Sequence, residues 1–148
     1  MRAVIQRAKN AKVRVDKKVV GEISGGLVVF VGIEDDDTED DVAYLVKKIS
    51  KLRIFEDDEN KMNLSVQDIG GEILSISQFT LHADTRKGNR PSFTGAAKPD
   101  YARNIYQEFN KRLTSKGINV ETGQFGEHME IDFINDGPVT ILIDSKNK

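Results

Sequence analysis

The sequence predicts a single α/β domain: a strongly curved, mixed or antiparallel β-sheet, barrel-like in form, covered by two main helices. Three observations carry this reading. Apolar runs of strand length and alternating segments recur along the whole chain. Two stretches, after Thr38 and after Pro99, instead repeat apolar residues at helical spacing. No linker, low-complexity tract or solenoid-length repeat interrupts the 148 residues, so one domain spans 1–148, with 144–148 as a polar tail.

The elements follow in order. Ala11, Val13 and Val15 alternate with Lys12 and Arg14, the pattern of a half-buried strand. Asp16-Lys17-Lys18 is a turn, and Val19 to Ile23 is its hairpin partner. Gly25-Gly26 is expected to break the chain. Leu27 to Ile33 is apolar enough for a central strand covered on both faces. Thr38 caps a helix whose acidic residues 39 to 41 suit its positive end. Val42, Leu45, Val46, Ile49 and Leu52 form its buried stripe. The acidic run at 34–37 shows no regular ligand spacing, and no metal is expected there.

Arg53-Ile54-Phe55 is extended, residues 56–60 form a polar loop, and Lys61 to Leu64 returns to the core. Gly70-Gly71 then precedes the buried run Ile73, Leu74 and Ile76. The second helix starts near Pro99 and ends at Gly117, with Ala102, Ile105, Tyr106, Phe109 and Leu113 on its apolar face. Ile118 and Val120 suggest a short strand. Met129, Ile131 and Phe133 alternate as another, Asn135 to Pro138 is a dense turn signal, and Val139 to Ile143 closes the sheet.

Composition narrows the function classes. With 38% hydrophobic and 31% charged residues, the chain reads as soluble and globular. No apolar run approaches the roughly 18 residues of a membrane span, and the opening is too short and polar for a signal peptide. No membrane partner is expected. The lack of cysteine excludes thiolate chemistry and suits a cytoplasmic location. A net charge of −2 gives no global field for nucleic acid, so no DNA partner is expected and any RNA contact must be local.

Chemistry is best placed where the central apolar run ends. Ser77, Gln78 and Thr80 put two hydroxyls and an amide beside Phe79 at a strand's carboxyl end, a common place for a site. His82 lies two residues past Thr80; in an extended chain both would share a face, permitting a hydroxyl-plus-base pair. A surface-loop histidine is the commoner reading. Arg86, Lys87 and Arg90 form a local basic group near Gly88, suited to phosphate contact or simply a surface loop. Gly137-Pro138 can adopt a cis bond, as about 5–6% of X-Pro bonds do. No phosphate loop, dinucleotide fingerprint or nucleophile elbow is present, and no cofactor is expected.

Ser77-Gln78-Phe79-Thr80 and Asn135-Asp136-Gly137-Pro138-Val139-Thr140 closely resemble the two signatures of the D-aminoacyl-tRNA deacylases. Leu52 to Phe55, Lys61 to Ser65, Arg90 to Phe93 and the opening Ile5-Gln6-Arg7 also look like that family. The similarity runs from Met1 to about Asp144. The resemblance implies a homodimer with active sites at the subunit interface, acting on aminoacyl-tRNA. It implies hydrolysis of the ester joining a D-amino acid, or glycine, to the tRNA 3′ end. Gly137 and Pro138, in cis, would reach into the partner's pocket and reject L side chains, with Arg7 fixing their conformation. Phe125 and Met129 would hold the terminal adenine. The family reading favours hydrolysis assisted by the terminal ribose 2′-hydroxyl over a Thr80 nucleophile. Amides around Gln78 and Phe79 would stabilise the oxyanion. Glu127-His128 before Met129 departs from the Ala-Asp common in the family. Two alternatives are a tRNA-end binding module without turnover and a Thr80–His82 hydrolase of small esters.

Overall fold

Alternation at Ala11, Val13 and Val15 does mark a half-buried strand, but the strand starts earlier. In the computed structural model, which describes residues 1–148, β1 runs Arg2–Val15 and also buries Ala3, Ile5 and Ala8. Asp16 and Lys17, both at positive φ, turn the chain into β2, Lys18–Gly32. The expected break at Gly25-Gly26 does not occur, because β2 passes straight through it. Gly26 has φ +141°, and a Cβ there would lie 1.9 Å from the Glu72 carbonyl oxygen. The glycine permits close approach of a neighbouring strand.

Thr38 opens α1, Glu39–Lys51, with its side chain accepting from the Asp40 amide and Asp41 accepting from the Thr38 amide. This reciprocal cap satisfies amides that the first turn leaves without partners. Val42, Leu45, Val46 and Ile49 are buried as their spacing requires. A small hairpin follows, β3 at Phe55–Glu56 and β4 at Met62–Leu64. β5, Glu72–Ser77, is buried through Ile73–Ile76 and ends in a 3-10 turn, Phe79–His82. α2 runs Pro99–Ser115, β6 Asn119–Thr122 and β7 Glu130–Asp144.

The five-stranded sheet has the order β6-β5-β2-β1-β7. β1 is antiparallel to β2 and β7; β5 is parallel to both β2 and β6. Mixed pairing and two helices agree with the sequence reading, but the barrel-like form does not. Closure requires the outermost strands to pair in register. Here β6 and β7 are the outermost strands and do not pair with one another, so the sheet stays open.

The expected turn at 135–138 lies inside β7. Gln6 pairs with Thr140 and Ala8 with Asn135, so residues 136–139 bulge opposite Arg7 alone. One sheet face packs Ile5, Leu27, Val29 and Val31 against Leu45 and Ile49 of α1 and Phe109 and Leu113 of α2. The other face holds a smaller cluster, including Ala11, Val13, Val28 and Leu74, with Phe30, Ile131 and Phe133 only partly covered. Residues 144–148 are not wholly a free tail. Ser145 is buried, accepting from the Met1 amine at 2.8 Å and donating to Asp41 at 2.6 Å.

Candidate active site

Three parallel strands deliver their carboxyl ends to one place. Val31 and Ile33 come from the end of β2, Ser77 to Phe79 from the end of β5, and the loop after β6 brings Phe125 and Met129. Together with Phe93 and the start of α2 at Lys98 and Pro99 they line a cavity of about 660 Å³. Loops that follow parallel strands diverge from the sheet edge and leave a crevice between them. The volume lies in the range of small-ligand pockets.

The floor is built from backbone. The Gln78 amide donates to the Val31 carbonyl at 2.8 Å, and the Leu81 amide to the Gln78 carbonyl at 3.3 Å. The Gln78 N–H is therefore occupied, contrary to its expected part in oxyanion stabilisation. Phe79 and Thr80 open the 3-10 turn, where amides lack partners within the turn. Gln78 Nε2 donates to Thr80 Oγ1 at 2.5 Å, so the hydroxyl and amide of the polar cluster hold one another.

The 3-10 turn also separates Thr80 from His82. In an extended chain they would share a face; here Thr80 is exposed and His82 is buried. His82 Nδ1 lies 3.4 Å from Glu34 Oε1, and neither ring nitrogen has a hydrogen-bond partner. The pair needed for a Thr80–His82 hydrolase is not assembled.

The aromatic wall is held by packing. Phe125 meets Tyr106 with centroids 6.0 Å apart, and the Arg103 guanidinium lies 5.1 Å over its ring. Met129 sits against Gly123, where a Cβ would come within 2.4 Å of its sulfur. Sequence reasoning did not find Phe93, Ala96, Lys98, Pro99 or Ala102, all of which line the cavity. The available signal was topological: three apolar runs, at 27–33, 73–76 and 118–120, each followed by a loop.

Gly137 and Pro138 lie elsewhere. Their peptide bond is cis, both residues are exposed, and Gly137 borders a separate depression of about 530 Å³ with Arg7, Lys9, Phe55 and Glu56. Buried Arg7 donates from Nε to the Asp136 carbonyl and from Nη1 to the Ile54 carbonyl, both at 2.8 Å. Asn135 Oδ1 accepts from the Val139 amide at 3.1 Å, while its Nδ2 donates to Gln6. Gly137 has φ +141°, and a Cβ would lie 2.7 Å from Val139 Cγ2. The bulge is thus braced from beneath and from both flanks.

The basic loop divides in two. Arg86 makes a two-point ion pair with Asp84, at 2.9 and 2.6 Å, which pulls the Asp84 carboxyl down to about 2. Lys87 and Arg90 are exposed. Glu34, Asp36 and Asp37 bring carboxylate oxygens within 4.8 Å of one another. The chain's own cations meet this cluster, as the Met1 amine reaches Asp37 at 2.5 Å and Lys146 reaches Asp37 and Asp36 at 3.3 and 3.7 Å.

These features define a small α/β protein with an aromatic-walled pocket at the carboxyl ends of parallel strands. The chain belongs to the D-Tyr-tRNA(Tyr) deacylase family, whose model matches residues 4–144. It is 60% identical over 148 residues to a D-aminoacyl-tRNA deacylase of Geobacillus sp. (strain WCH70), covering 100% of this chain and 97% of that one. It is 58% identical to the D-aminoacyl-tRNA deacylase of Thermus aquaticus, with the same coverage. Among solved structures, one named c-Myc DNA unwinding element binding protein matches with a TM-score of 0.92 and 38% identity, over 97% of this chain and 98% of that one. A probable eukaryotic D-amino acid tRNA deacylase shares the fold, with a TM-score of 0.84 at 18% identity over 96% and 97% of the two chains.

Proposed function

We propose that this protein hydrolyses the ester linking a D-amino acid, or glycine, to the 3′ end of tRNA. The observation that carries the proposal is one cavity lined by both Ser77-Gln78-Phe79 and Phe125 with Met129, in a member of the deacylase family. Phe125 and Met129 take the terminal adenine, which places the ester over the turn after β5. The amides of Phe79 and Thr80 receive the oxyanion as water attacks the carbonyl. An aminoacyl ester is already reactive, so orientation supplies much of the acceleration. The attacking water is oriented by the substrate's own 2′-hydroxyl, and Thr80 serves to hold Gln78 in place.

Selectivity comes from a second copy of the chain. Neither Gly137 nor Pro138 lines the cavity of its own chain, and Gly137 borders a different depression, so their filter acts on a partner's pocket in a homodimer. A braced backbone discriminates by excluding the L side chain, while glycine, having none, passes. Exposed Lys87 and Arg90 contact the tRNA backbone, with Arg86 tethered to Asp84 beside them. The name of the 38% identical structure points to DNA for that protein. This chain is read as acting on a single-stranded tRNA end because its family is that of the tRNA deacylases.

Purified protein is expected to release tyrosine from D-tyrosyl-tRNA and to spare L-tyrosyl-tRNA. Equal rates on both would remove the filter. A salt-sensitive complex with no amino acid released would leave only a binding module.

A further inference from the structure

Phe79 is 57% exposed although it lies at the end of the buried strand β5, and its ring extends the largely apolar wall of the cavity to the surface. It meets Phe93 edge-to-face, with centroids 5.1 Å apart and planes at 73°. Both rings line the cavity, so the pair continues its wall outward. The pair is fixed by backbone as well as by contact. Asp84 and Ser92 exchange two amide–carbonyl hydrogen bonds, at 2.7 and 2.9 Å, and these tie the segment before Phe93 to the chain just after the turn carrying Phe79. The loop so closed, 85–91, carries exposed Lys87 and Arg90.

We infer that the Phe79–Phe93 pair is a stacking platform for the nucleotide that precedes the terminal one in the single-stranded 3′ end. This rests on the deacylase reading of the same cavity. A fixed ring face beside exposed cations is the combination by which proteins hold single-stranded nucleic acid: bases stack on the ring while the cations follow the phosphates. The cavity is filled by the terminal nucleoside and its amino acid, so the next base emerges where the cavity wall becomes the exposed Phe79 ring. Such stacking tolerates any base, so the platform contributes grip without choosing sequence.

The test compares D-tyrosyl esters on adenosine alone and on a trinucleotide ending in adenosine. For the unaltered protein, kcat/KM on the trinucleotide is expected to exceed that on adenosine about tenfold. Phe79→Leu and Phe93→Leu should each bring the ratio towards one, whereas Phe79→Tyr, which keeps a ring, should preserve it. A ratio near one in the unaltered protein, or a ratio untouched by the leucine variants, overturns the platform. Equal losses on both substrates also overturn it, since the rings would then only shape the inner pocket. Sedimentation of Phe79→Leu covers the remaining occupant: dissociation of an assembly would assign the ring to a contact between copies and overturn the inference. Binding of the uncharged trinucleotide, followed by NMR, separates the two readings. Ring-dependent binding without hydrolysis of either ester sinks the deacylase and keeps the platform; no binding and no hydrolysis sinks both.

Discussion

Arg7 shows how one side chain joins two distant motifs. Its guanidinium is buried and spans the carbonyls of Asp136 and Ile54. Residues 136–139 have no strand partners of their own, because only Arg7 faces them across β1. Arg7→Ala therefore leaves two carbonyls without a donor and frees the bulge. Its cost should be about 2 kcal/mol in denaturant unfolding, accompanied by a fall in the D-to-L hydrolysis ratio. Retained stability and retained ratio together would deny Arg7 its bracing role. His82 teaches the opposite lesson at the same scale. Its spacing from Thr80 suggested a partner, but the 3-10 turn carries it inward to Glu34. Side-chain periodicity predicts shared faces only once the local backbone is known.

At the scale of elements, β2 and β5 depend on a single hydrogen atom at position 26. Gly26→Ala would place a Cβ 1.9 Å from the Glu72 carbonyl oxygen at a φ that alanine rarely adopts. The parallel pair must then separate, and since β5 ends at the cavity, both stability and activity should fall. A loss of about 3 kcal/mol or more in thermal or denaturant unfolding is expected. Gly25→Ala, whose Cβ would come no closer than 3.8 Å to its neighbour, serves as the mild control. The two glycines look alike in the sequence, and a chain break was the natural inference; only the approach of Glu72 tells them apart. Helices were easier to read, because Thr38 and Pro99 are local signals and the apolar stripes repeat every three to four residues. β7 was harder. Asn135 to Pro138 has the composition of a hairpin turn, yet β1 pairs on both sides of it and holds the chain in one strand. Of the candidate site, Ser77 to Phe79 with Phe125 and Met129 were legible and do meet. Phe93, Lys98 and Pro99 join them through parallel strand order, which no local pattern carries.

At the scale of the whole molecule, the two ends of the chain are tied together. The Met1 amine, Asp37, Asp41, Ser145 and Lys146 form one network at the start of α1. Burial alone would raise the Asp41 carboxyl, but hydrogen bonds from Ser145, the Thr38 amide and Lys146 hold it well below an ordinary carboxylate. A depressed value means stability present above the unfolded value near 3.8 and lost as pH falls through the folded one. Unfolding midpoints should therefore hold above about pH 5 and decline steeply below pH 4. Asp41→Asn should flatten that acid limb, and an unchanged limb would remove the network from the account.

The same scale carries the central claim, that the filter of one copy guards the pocket of another. Two variants test it by mixing. Gly137→Ala with Pro138→Ala spoils the filter and leaves the pocket; Ala96→Trp fills the pocket and leaves the filter. Ala96→Trp alone should be inactive, whereas the filter variant alone should hydrolyse D- and L-tyrosyl-tRNA alike. Refolded together in equal amounts, half the dimers pair an intact pocket with the neighbour's intact filter at one of two sites, and only the quarter of dimers built from two filter-variant copies stay unguarded. At equal total protein, L-tyrosyl-tRNA hydrolysis should therefore fall to about one quarter of the filter variant's own rate. A fall to only about one half, the effect of dilution alone, would contradict a filter supplied by the neighbouring copy.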